Sequence, residues 1–576
     1  MQKEKKISRL NKIVVIASLT AALITLLVYL PALNNQFVNW DDRVYLYENA
    51  FIRSIGQQGF FWRILTETSN CNWHPLTTLF NAVDYSLWGL NPWGHHLTSI
   101  LLHSVNTFLV AILISELINQ AYRSKTGIPQ TGLVARIVLP GFLTALLFGI
   151  HPMHVESVAW ASEKKDLLSA FFYLLCLYSY LHYATGERFK KFFYIASLLL
   201  FIMALMSKPM AISLPVALLI MDYYPLERIS GIFRVERRIF TEKLPFFILG
   251  AASIPVTIYA QKACGAVLTV ETYPISLRVF GPLRNYIFYL YKLAFPASLA
   301  PYYPRVSALT GHLPEYGLSL LVFIVLTFLC IFTFRRHKFF LTAYLFYIIT
   351  LLPVIGIMQV GGQATADRYT YLPGLALFVV EAIAVGYLYE KARNKTYLAI
   401  VIALIFLFSV LLAGKTVKQI GIWKDGITFW SYEISVYPKG VPIAYINRAM
   451  EYEDKGRIND ALEDYTKAIE LEPNYPGTYI NRGNTYNTLG NYEKAVADFN
   501  SAVNIDAKQS YAYNNRSFSY LRLGNFGQAK EDALTAIKID PNLGAAYYNL
   551  SLAYSGMKEE ELAVQAKQKA VELGFK

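Results

Sequence analysis

Hydrophobic residues follow two patterns along this chain of 576 residues. Through the first 414 residues they form long runs, eleven of which approach the roughly 20 residues that a helix needs to cross a bilayer. These runs lie near residues 13–33, 97–120, 137–151, 166–183, 192–206, 209–223, 244–260, 316–334, 339–356, 371–389 and 396–414. After residue 414, apolar positions recur at helical spacing among polar ones. The pattern predicts an all-α protein, a polytopic membrane bundle of about eleven crossings followed by a soluble helical region.

Three segments complicate this count. The runs 192–206 and 209–223 are short and share a Lys208-Pro209 break. A twelfth candidate, 278–296, contains three basic residues, and each charge at mid-bilayer costs about 2.5–3.5 kcal/mol. We therefore expect 278–296 to be interfacial or re-entrant. The basic N-terminus resembles the start of a signal peptide, but no small-residue cleavage site follows, so we interpret the first run as a retained span.

Composition and charge support a membrane protein and disfavour a nucleic-acid partner. Hydrophobic residues make up 55% of the chain and charged residues 16%, against about 25% charged in typical globular proteins. The net charge of +13 lies entirely in residues 1–414, because residues 415–576 hold 19 basic and 20 acidic residues. Cys71 and Cys264 are the two cysteines that could pair outside the membrane, although such pairing is disfavoured.

The basic residues also predict an orientation. With eleven crossings and a cytoplasmic N-terminus, the inside loops hold 22 Lys/Arg in 66 residues and the outside loops 12 in 148. This asymmetry follows the positive-inside rule. An odd number of crossings then places the C-terminal region on the non-cytoplasmic side.

The C-terminal region repeats with a period of 34 residues. Four registers agree, those that begin at Tyr445, Asn447, Tyr452 and Ala461. Glycines recur at the turn between paired helices, where a positive φ favours glycine. Such fixed periodicity is typical of a helical repeat array. We divide the chain into a membrane domain (1–414, with the acidic motif in the outside loop 34–96), a linker helix region (415–441) and four repeats (442–576).

Two polar series accompany the repeats. Arg448, Arg482 and Arg516 each precede an aspartate by 16 residues, and both members are absent from the fourth repeat, which predicts a structural pair across each helix hairpin. The second series is predicted to form a ladder along the concave groove of the repeat array, where its amides could bind a peptide backbone; a solvated helix face is the alternative. It consists of Asn447, Asn481, Asn515 and Asn549. Replacing all four by alanine should weaken binding of the peptide and leave thermal stability nearly unchanged.

Candidate chemistry lies in the outside loops. The first contains adjacent carboxylates, Asp41 and Asp42, which could activate a hydroxyl or hold a metal. His151, His154 and Glu156 have a spacing that could also hold a divalent cation, although helix capping and solvation are equally common roles for such residues. Gly-rich phosphate loops and Gly-x-Ser-x-Gly elbows in their required context are absent from the sequence, which disfavours a soluble nucleotide enzyme.

Taken together, these motifs carry a family resemblance. The repeats resemble tetratricopeptide repeats, and the membrane half resembles the transmembrane and tetratricopeptide-repeat proteins of the GT-C glycosyltransferase superfamily, relatives of the protein O-mannosyltransferases. The shared motifs are WDD at residues 40–42, HPxHxExxAW at 151–160 with Lys165 and Asp166 after it, and DRYxYLP at 367–373. The chain departs from the pattern at Lys165, where arginine is usual, and at Pro209, where many relatives carry an acid.

The resemblance implies an inverting transferase that moves a sugar from a polyprenyl-phosphate donor to a protein serine or threonine hydroxyl. Catalysis falls to Asp41 and Asp42, with Asp41 as the base. The expected donor or phosphate-binding residues are Lys165, Lys208, Arg368, Tyr369 and Tyr371. The expected substrate-orienting residues are His151, His154, Glu156 and Asp166. No cofactor is certain, and a divalent cation is possible.

Two other functions compete with this hypothesis. The chain could be a non-enzymatic membrane scaffold that binds partners through its repeats. It could also be a transporter, although transporters usually place ionisable residues within their spans. Asn515 and Asn549 lie in Asn-x-Ser sequons on predicted groove-facing helices, where glycans would obstruct binding. That favours a bacterial inner membrane with a periplasmic repeat domain over an endoplasmic reticulum.

The predicted orientation is tested by thiol labelling. Gly440→Cys should react with an impermeant reagent in intact cells, because the odd crossing count places this position outside. The unsubstituted protein gives the background from its own cysteines. Labelling of the new cysteine only after lysis would contradict the orientation.

Overall fold

The computed structural model describes residues 2–68, 72–125, 132–186, 188–229, 237–263, 273–305, 311–334, 336–357, 362–391 and 394–575. Cys71 and Cys264, the possible disulfide partners, lie outside the described residues. The chain divides into two compact units, Met1–Asp425 and Gly426–Lys576. The predicted linker 415–441 is therefore shared: its first part continues the last helix of the membrane unit, and its second part includes a helix of the repeat unit.

The membrane unit is built from helices of very different lengths, joined by short 3-10 and π turns. They are α1 (Gln2–Tyr29), α2 (Phe60–Thr66), α3 (Pro75–Trp88), α4 (Pro92–Lys125), α5 (Leu139–Ile150), α6 (Val155–Ala159), α7 (Lys164–Thr185), α8 (Lys190–Ser207), α9 (Leu214–Tyr223), α10 (Arg237–Ala263), α11 (Ile275–Ala294), α12 (Leu313–Thr333), α13 (Lys338–Leu351), α14 (Leu375–Lys391) and α15 (Lys395–Ile422). The prediction of an all-helical chain is confirmed.

All eleven apolar runs are helical, but they differ in length. In the described ranges, seven helices are long and apolar enough to cross a bilayer, and an eighth is added if the bent pair Val134–Ile150 and Pro152–Ala159 is one span. Three runs remain. Two of them form shorter apolar helices, Pro209–Tyr223 and Lys338–Val354. The third, run 371–389, forms α14, which has 17 residues. The number of eleven crossings therefore stays a prediction.

Helix α11 covers the twelfth candidate, 278–296, and it is amphipathic. Its buried positions follow helical spacing, and it is not among the helices that meet the criteria for a span. Its charges are satisfied locally, since Arg284 pairs with Glu315 at 2.6 Å and Lys292 Nζ donates to the Ala297 carbonyl at 2.6 Å. These contacts are compatible with an interfacial helix.

The first outside loop is folded onto the ends of the long helices. Within it, the Thr77 hydroxyl donates to the Ser207 carbonyl at the end of α8 (2.9 Å). The Lys164 ammonium is fully buried and binds Asp84 of α3. These two contacts hold α3 next to Lys165 and Lys208, because Lys165 follows Lys164 and Lys208 follows Ser207 in the sequence.

The repeat unit contains α16 (Gly426–Val436) and four helix hairpins. The hairpins are α17 (Pro442–Asp454) with α18 (Ile458–Leu471), α19 (Pro476–Thr488) with α20 (Tyr492–Ile505), α21 (Ser510–Arg522) with α22 (Phe526–Ile539), and α23 (Gly544–Gly556) with α24 (Glu560–Glu572). The turn glycines 456, 490 and 524 have φ of 71°, 74° and 77°, and Lys558 takes the same left-handed conformation in the fourth repeat. The predicted register is confirmed.

The predicted Arg–Asp pairs are also present. Each guanidinium binds its aspartate with two hydrogen bonds of 2.7–2.8 Å, linking the two helices of one hairpin. The three aspartates are buried. Bidentate geometry and burial make these pairs stronger than ordinary surface ion pairs.

The asparagine ladder is only partly an open surface. Asn549 is buried and donates to both the carbonyl and the side chain of Asn514 at 3.0 Å. Asn515 donates to Asn484 at 2.8 Å. These amides join neighbouring repeats, and the buried contacts of Asn549 weigh against replacement of all four asparagines without loss of stability, which stays a prediction.

We predict that Arg482 and Asp498 are energetically coupled. In a double-mutant cycle with Arg482→Met and Asp498→Asn, the coupling should reach about 1–3 kcal/mol, because a half-buried charged hydrogen bond is lost. The free energy of unfolding is measured by chemical denaturation of residues 426–576. The solvated Lys467–Glu470 pair (2.6 Å) is the control and should show little coupling. Equal coupling in both pairs would contradict the structural role.

Candidate active site

The two adjacent carboxylates of the first loop have different surroundings. Asp42 is 1% exposed and accepts two backbone hydrogen bonds, from Val38 N at 3.0 Å and from Ser162 N at 2.9 Å. Burial raises the pKa of Asp42 to about 7, although both hydrogen bonds oppose the shift. This side chain fastens the first loop to the segment before α7. Its position is that of a structural residue.

Asp41 faces a cavity of about 480 Å³ instead. It is partly exposed, and burial raises the pKa of its carboxyl while the positive charge of Lys165 opposes the rise. A carboxylate with a raised pKa is a better proton acceptor near neutral pH than an ordinary aspartate. Asp41 thus lines the cavity, whereas the adjacent Asp42 is bonded to the backbone.

Three cations line the same cavity and come from three separate parts of the chain. Lys165 lies in the first turn of α7, Lys208 directly follows α8, and Arg368 lies in the 3-10 turn Asp367–Thr370. Their separation in sequence is large, so only the tertiary fold brings them together. An anionic group entering the cavity would meet all three.

Glu163 holds these cations in place, and sequence reasoning missed it. Its carboxylate is fully buried and lies 2.9 Å from Lys165 Nζ, 3.8 Å from Lys208 Nζ and 3.4 Å from Arg368 Nε. In the sequence it precedes two lysines at the start of a helix, which is typical of a solvated first turn. Only the position of Arg368, 205 residues later, reveals its role.

Two further carboxylates, outside the cavity lining, bind two of these cations. The Arg368 guanidinium binds Glu156, whose second oxygen accepts from Arg368 N at 2.9 Å. Lys208 binds Asp166, which also accepts from Ser157 at 3.1 Å. Glu156 and Asp166 are thus predicted site residues that orient cations and do not line the cavity.

Aromatic rings lie close to all three cations. The guanidinium carbon of Arg368 lies 5.4 Å from the ring centroid of Trp160 and 5.1 Å from that of Tyr369. Lys208 Nζ lies 5.8 Å from the Tyr369 ring. Lys165 Nζ lies 4.9 Å from the ring of Tyr45. Cations over aromatic faces keep their charge while their hydration is reduced.

The remaining predicted residues lie behind the wall of the cavity. The ring of His151 bonds to the Leu293 carbonyl at 3.0 Å, and that of His154 to the Phe148 carbonyl at 2.8 Å. Tyr371 bonds to His103 at 2.7 Å. In the described part of the chain, no group of three or more His, Cys, Asp or Glu has the arrangement of a metal site. The spacing of His151, His154 and Glu156 therefore does not translate into a shared ligand set.

Comparison with protein-family models identifies the repeats. Models described as tetratricopeptide repeat match residues 442–475, 464–497, 510–543 and 544–573. A solved structure titled "Crystal structure of MamA" aligns with 26% of this chain and 86% of its own, at 23% identity and a TM-score of 0.25.

Relatives that align with most of the chain carry a common name. A protein O-mannosyl-transferase of Caenorhabditis elegans is 25% identical over 78% of this chain and 62% of its own length. The human protein O-mannosyl-transferases TMTC1 and TMTC4 are each 25% identical over 78% of this chain, covering 54% and 65% of their own lengths. This chain thus matches about half to two thirds of each relative. It is homologous over most of its length to the TMTC protein O-mannosyl-transferases and carries tetratricopeptide repeats at its C-terminal end.

Proposed function

We propose that the membrane unit transfers a sugar from a polyprenyl-phosphate donor to a serine or threonine hydroxyl of a protein. The proposal rests on one observation, that Asp41, Lys165, Lys208 and Arg368 all line the same cavity. A base and an anion-binding cluster in one cavity are what glycosyl transfer from a phosphate donor requires. The relatives named protein O-mannosyl-transferases support this reaction class.

The donor is inferred from the charges around the cavity. The three cations are balanced by Glu163, Glu156 and Asp166, so the cluster has no large positive excess. Such a cluster suits one phosphate held by fixed donors. A lipid-borne phosphate fits a site at the ends of membrane helices, and nucleotide sugars are generally cytoplasmic, whereas we place this site on the non-cytoplasmic face.

The reaction is a single displacement. The acceptor hydroxyl oxygen attacks the anomeric carbon, its proton passes to Asp41, and the bond from that carbon to the phosphate oxygen breaks. Polyprenyl phosphate leaves with the bonding electron pair, and Lys165, Lys208 and Arg368 stabilise its negative charge. Attack opposite to the leaving group inverts the anomeric configuration.

The repeats recruit the acceptor in this proposal. Tetratricopeptide hairpins with polar side chains along one register offer donors and acceptors to an extended peptide. Asn481 is partly exposed on α19, whereas Asn549 is buried against Asn514. We place the protein in a bacterial inner membrane with its repeats in the periplasm; in a eukaryote the equivalent is the endoplasmic reticulum.

The proposed reaction predicts the effect of removing the base. Asp41→Asn in the purified protein should lower transfer by about 10²–10⁴-fold, because the hydroxyl proton has no acceptor. Donor binding should survive, since the three cations remain. Turnover is measured with a polyprenyl-phosphate sugar and a peptide acceptor, and donor affinity by equilibrium binding. Near-normal turnover would refute the assignment of Asp41 as the base, whereas no turnover by the unsubstituted protein would favour the scaffold hypothesis.

The neighbouring carboxylate provides the matched control. Asp42→Asn replaces an acceptor of two backbone hydrogen bonds, so it should lower the melting temperature and reduce transfer less than Asp41→Asn. Transfer by the unsubstituted protein should fall as the pH drops through the pKa of Asp41, because the protonated base is inactive. Since burial raises that pKa, the fall should occur at a higher pH than for an ordinary aspartate.

The second prediction concerns the repeats. Asn481→Ala should raise the KM for a protein acceptor and leave the melting temperature unchanged, because its amide lies on a partly exposed surface. Asn549→Ala should instead lower the melting temperature, since buried hydrogen bonds to Asn514 are lost. An unchanged KM in the Asn481 variant would remove this residue from the acceptor groove.

A further inference from the structure

A second cavity lies inside the membrane unit, away from the candidate active site. Its volume is about 730 Å³, within the range of about 300–1,000 Å³ typical of ligand sites. The walls are mainly apolar side chains of α4, α7, α9, α13 and α14. Nothing in the proposed reaction uses this space.

The two cavities lie at different heights along the helices they share. On α7, Lys165 lines the first cavity and Leu177 the second, and twelve helical residues span about 18 Å. On α13 and the turn after it, Val354 lines the first and Lys338 the second, about 24 Å apart by the same rise. The second cavity therefore opens towards the end of the unit that the positive-inside count predicts to be cytoplasmic.

Charged groups gather at the mouth of the second cavity. Arg136 is paired with Glu390 at 2.9 Å, and Lys338 with Glu227 at 3.0 Å. Arg336 also lines the cavity, is exposed, and makes no ion pair with the residues that the structure describes. His337 is exposed beside it. An apolar interior with a basic mouth is complementary to an amphiphile with an anionic head.

We propose that this cavity binds an anionic phospholipid from the cytoplasmic leaflet. The acyl chain fills the apolar interior between α4, α9, α13 and α14, and the phosphate pairs with Arg336 at the mouth. Basic groups between membrane helices on the cytoplasmic side suit acidic head groups, and each such cation contributes about fivefold to affinity.

The polyprenyl tail of a donor is a poorer occupant. Its far end is uncharged hydrocarbon and gains nothing from a basic mouth. The rise of about 24 Å from Val354, which lines the first cavity, to Lys338 at this mouth shows that a phosphate bound in the first cavity would lie far from it. The charge therefore favours a head group at this end over the end of a tail.

The test uses the full-length protein in nanodiscs of equal phosphatidylglycerol and phosphatidylcholine. Lipids retained after transfer to detergent are counted by native mass spectrometry. The unsubstituted protein should retain phosphatidylglycerol in preference, and Arg336→Gln should lower the ratio of the two lipids about fivefold. Lys395→Gln removes an exposed cation that begins α15 but does not line the cavity, and should leave the ratio unchanged.

A second variant separates the cavity from general surface attraction. Ala384 lines the cavity and is exposed, so Ala384→Phe should fill space and lower retention of both lipids. The proposal is overturned if Arg336→Gln and Lys395→Gln give the same ratio, or if Ala384→Phe retains lipid like the unsubstituted protein. Added polyprenyl phosphate that is retained in place of phospholipid, and lost in Ala384→Phe, would assign the cavity to the donor tail. No readout depends on transfer activity, so failure of the proposed reaction would leave this result unaffected.

Discussion

The balance of charge around Glu163 is the constraint on which the membrane unit depends. One fully buried carboxylate lies within 4 Å of Lys165, Lys208 and Arg368. Burying any of these charges without a partner would cost several kcal/mol, so the segments that carry them must meet in one arrangement. The same requirement that fixes the ends of α7 and α8 and the turn 367–370 also brings three cations to the wall of one cavity.

In the first outside loop, the adjacent residues Asp41 and Asp42 have different roles. Asp42 gives both oxygens to backbone N–H groups, and Lys164 is buried on Asp84 of α3. These contacts hold the loop against the helix ends, so Asp41 can face the cavity without taking part in the fold. Under the proposed reaction, this arrangement leaves the Asp41 carboxylate available to a substrate in the cavity.

Charged side chains lie at both ends of the membrane unit, but they differ in their partners. At one end, buried acids surround the cations and match each of them. At the other, Arg336 has no acidic partner among the described residues and borders an apolar interior. The first arrangement suits the brief binding of a phosphate during a reaction, and the second suits a resident lipid. The repeat unit contributes neither and is held by hydrogen bonds within and between its hairpins.

The sequence by itself determined the helices, the 34-residue register and the Arg–Asp pairs, because these depend on spacing within one or two turns or within one hairpin. Its short motifs also predicted roles for Asp41 and the three cations, which the structure places at one cavity. It did not reveal Glu163, the structural use of His151 and His154, or the burial of Asn549. Those depend on partners such as Leu293 and Arg368 that lie up to about 200 residues away. Only tertiary packing decides that Asp42 binds backbone N–H groups while the adjacent Asp41 faces a cavity, because distant segments set the burial and the partners of each side chain.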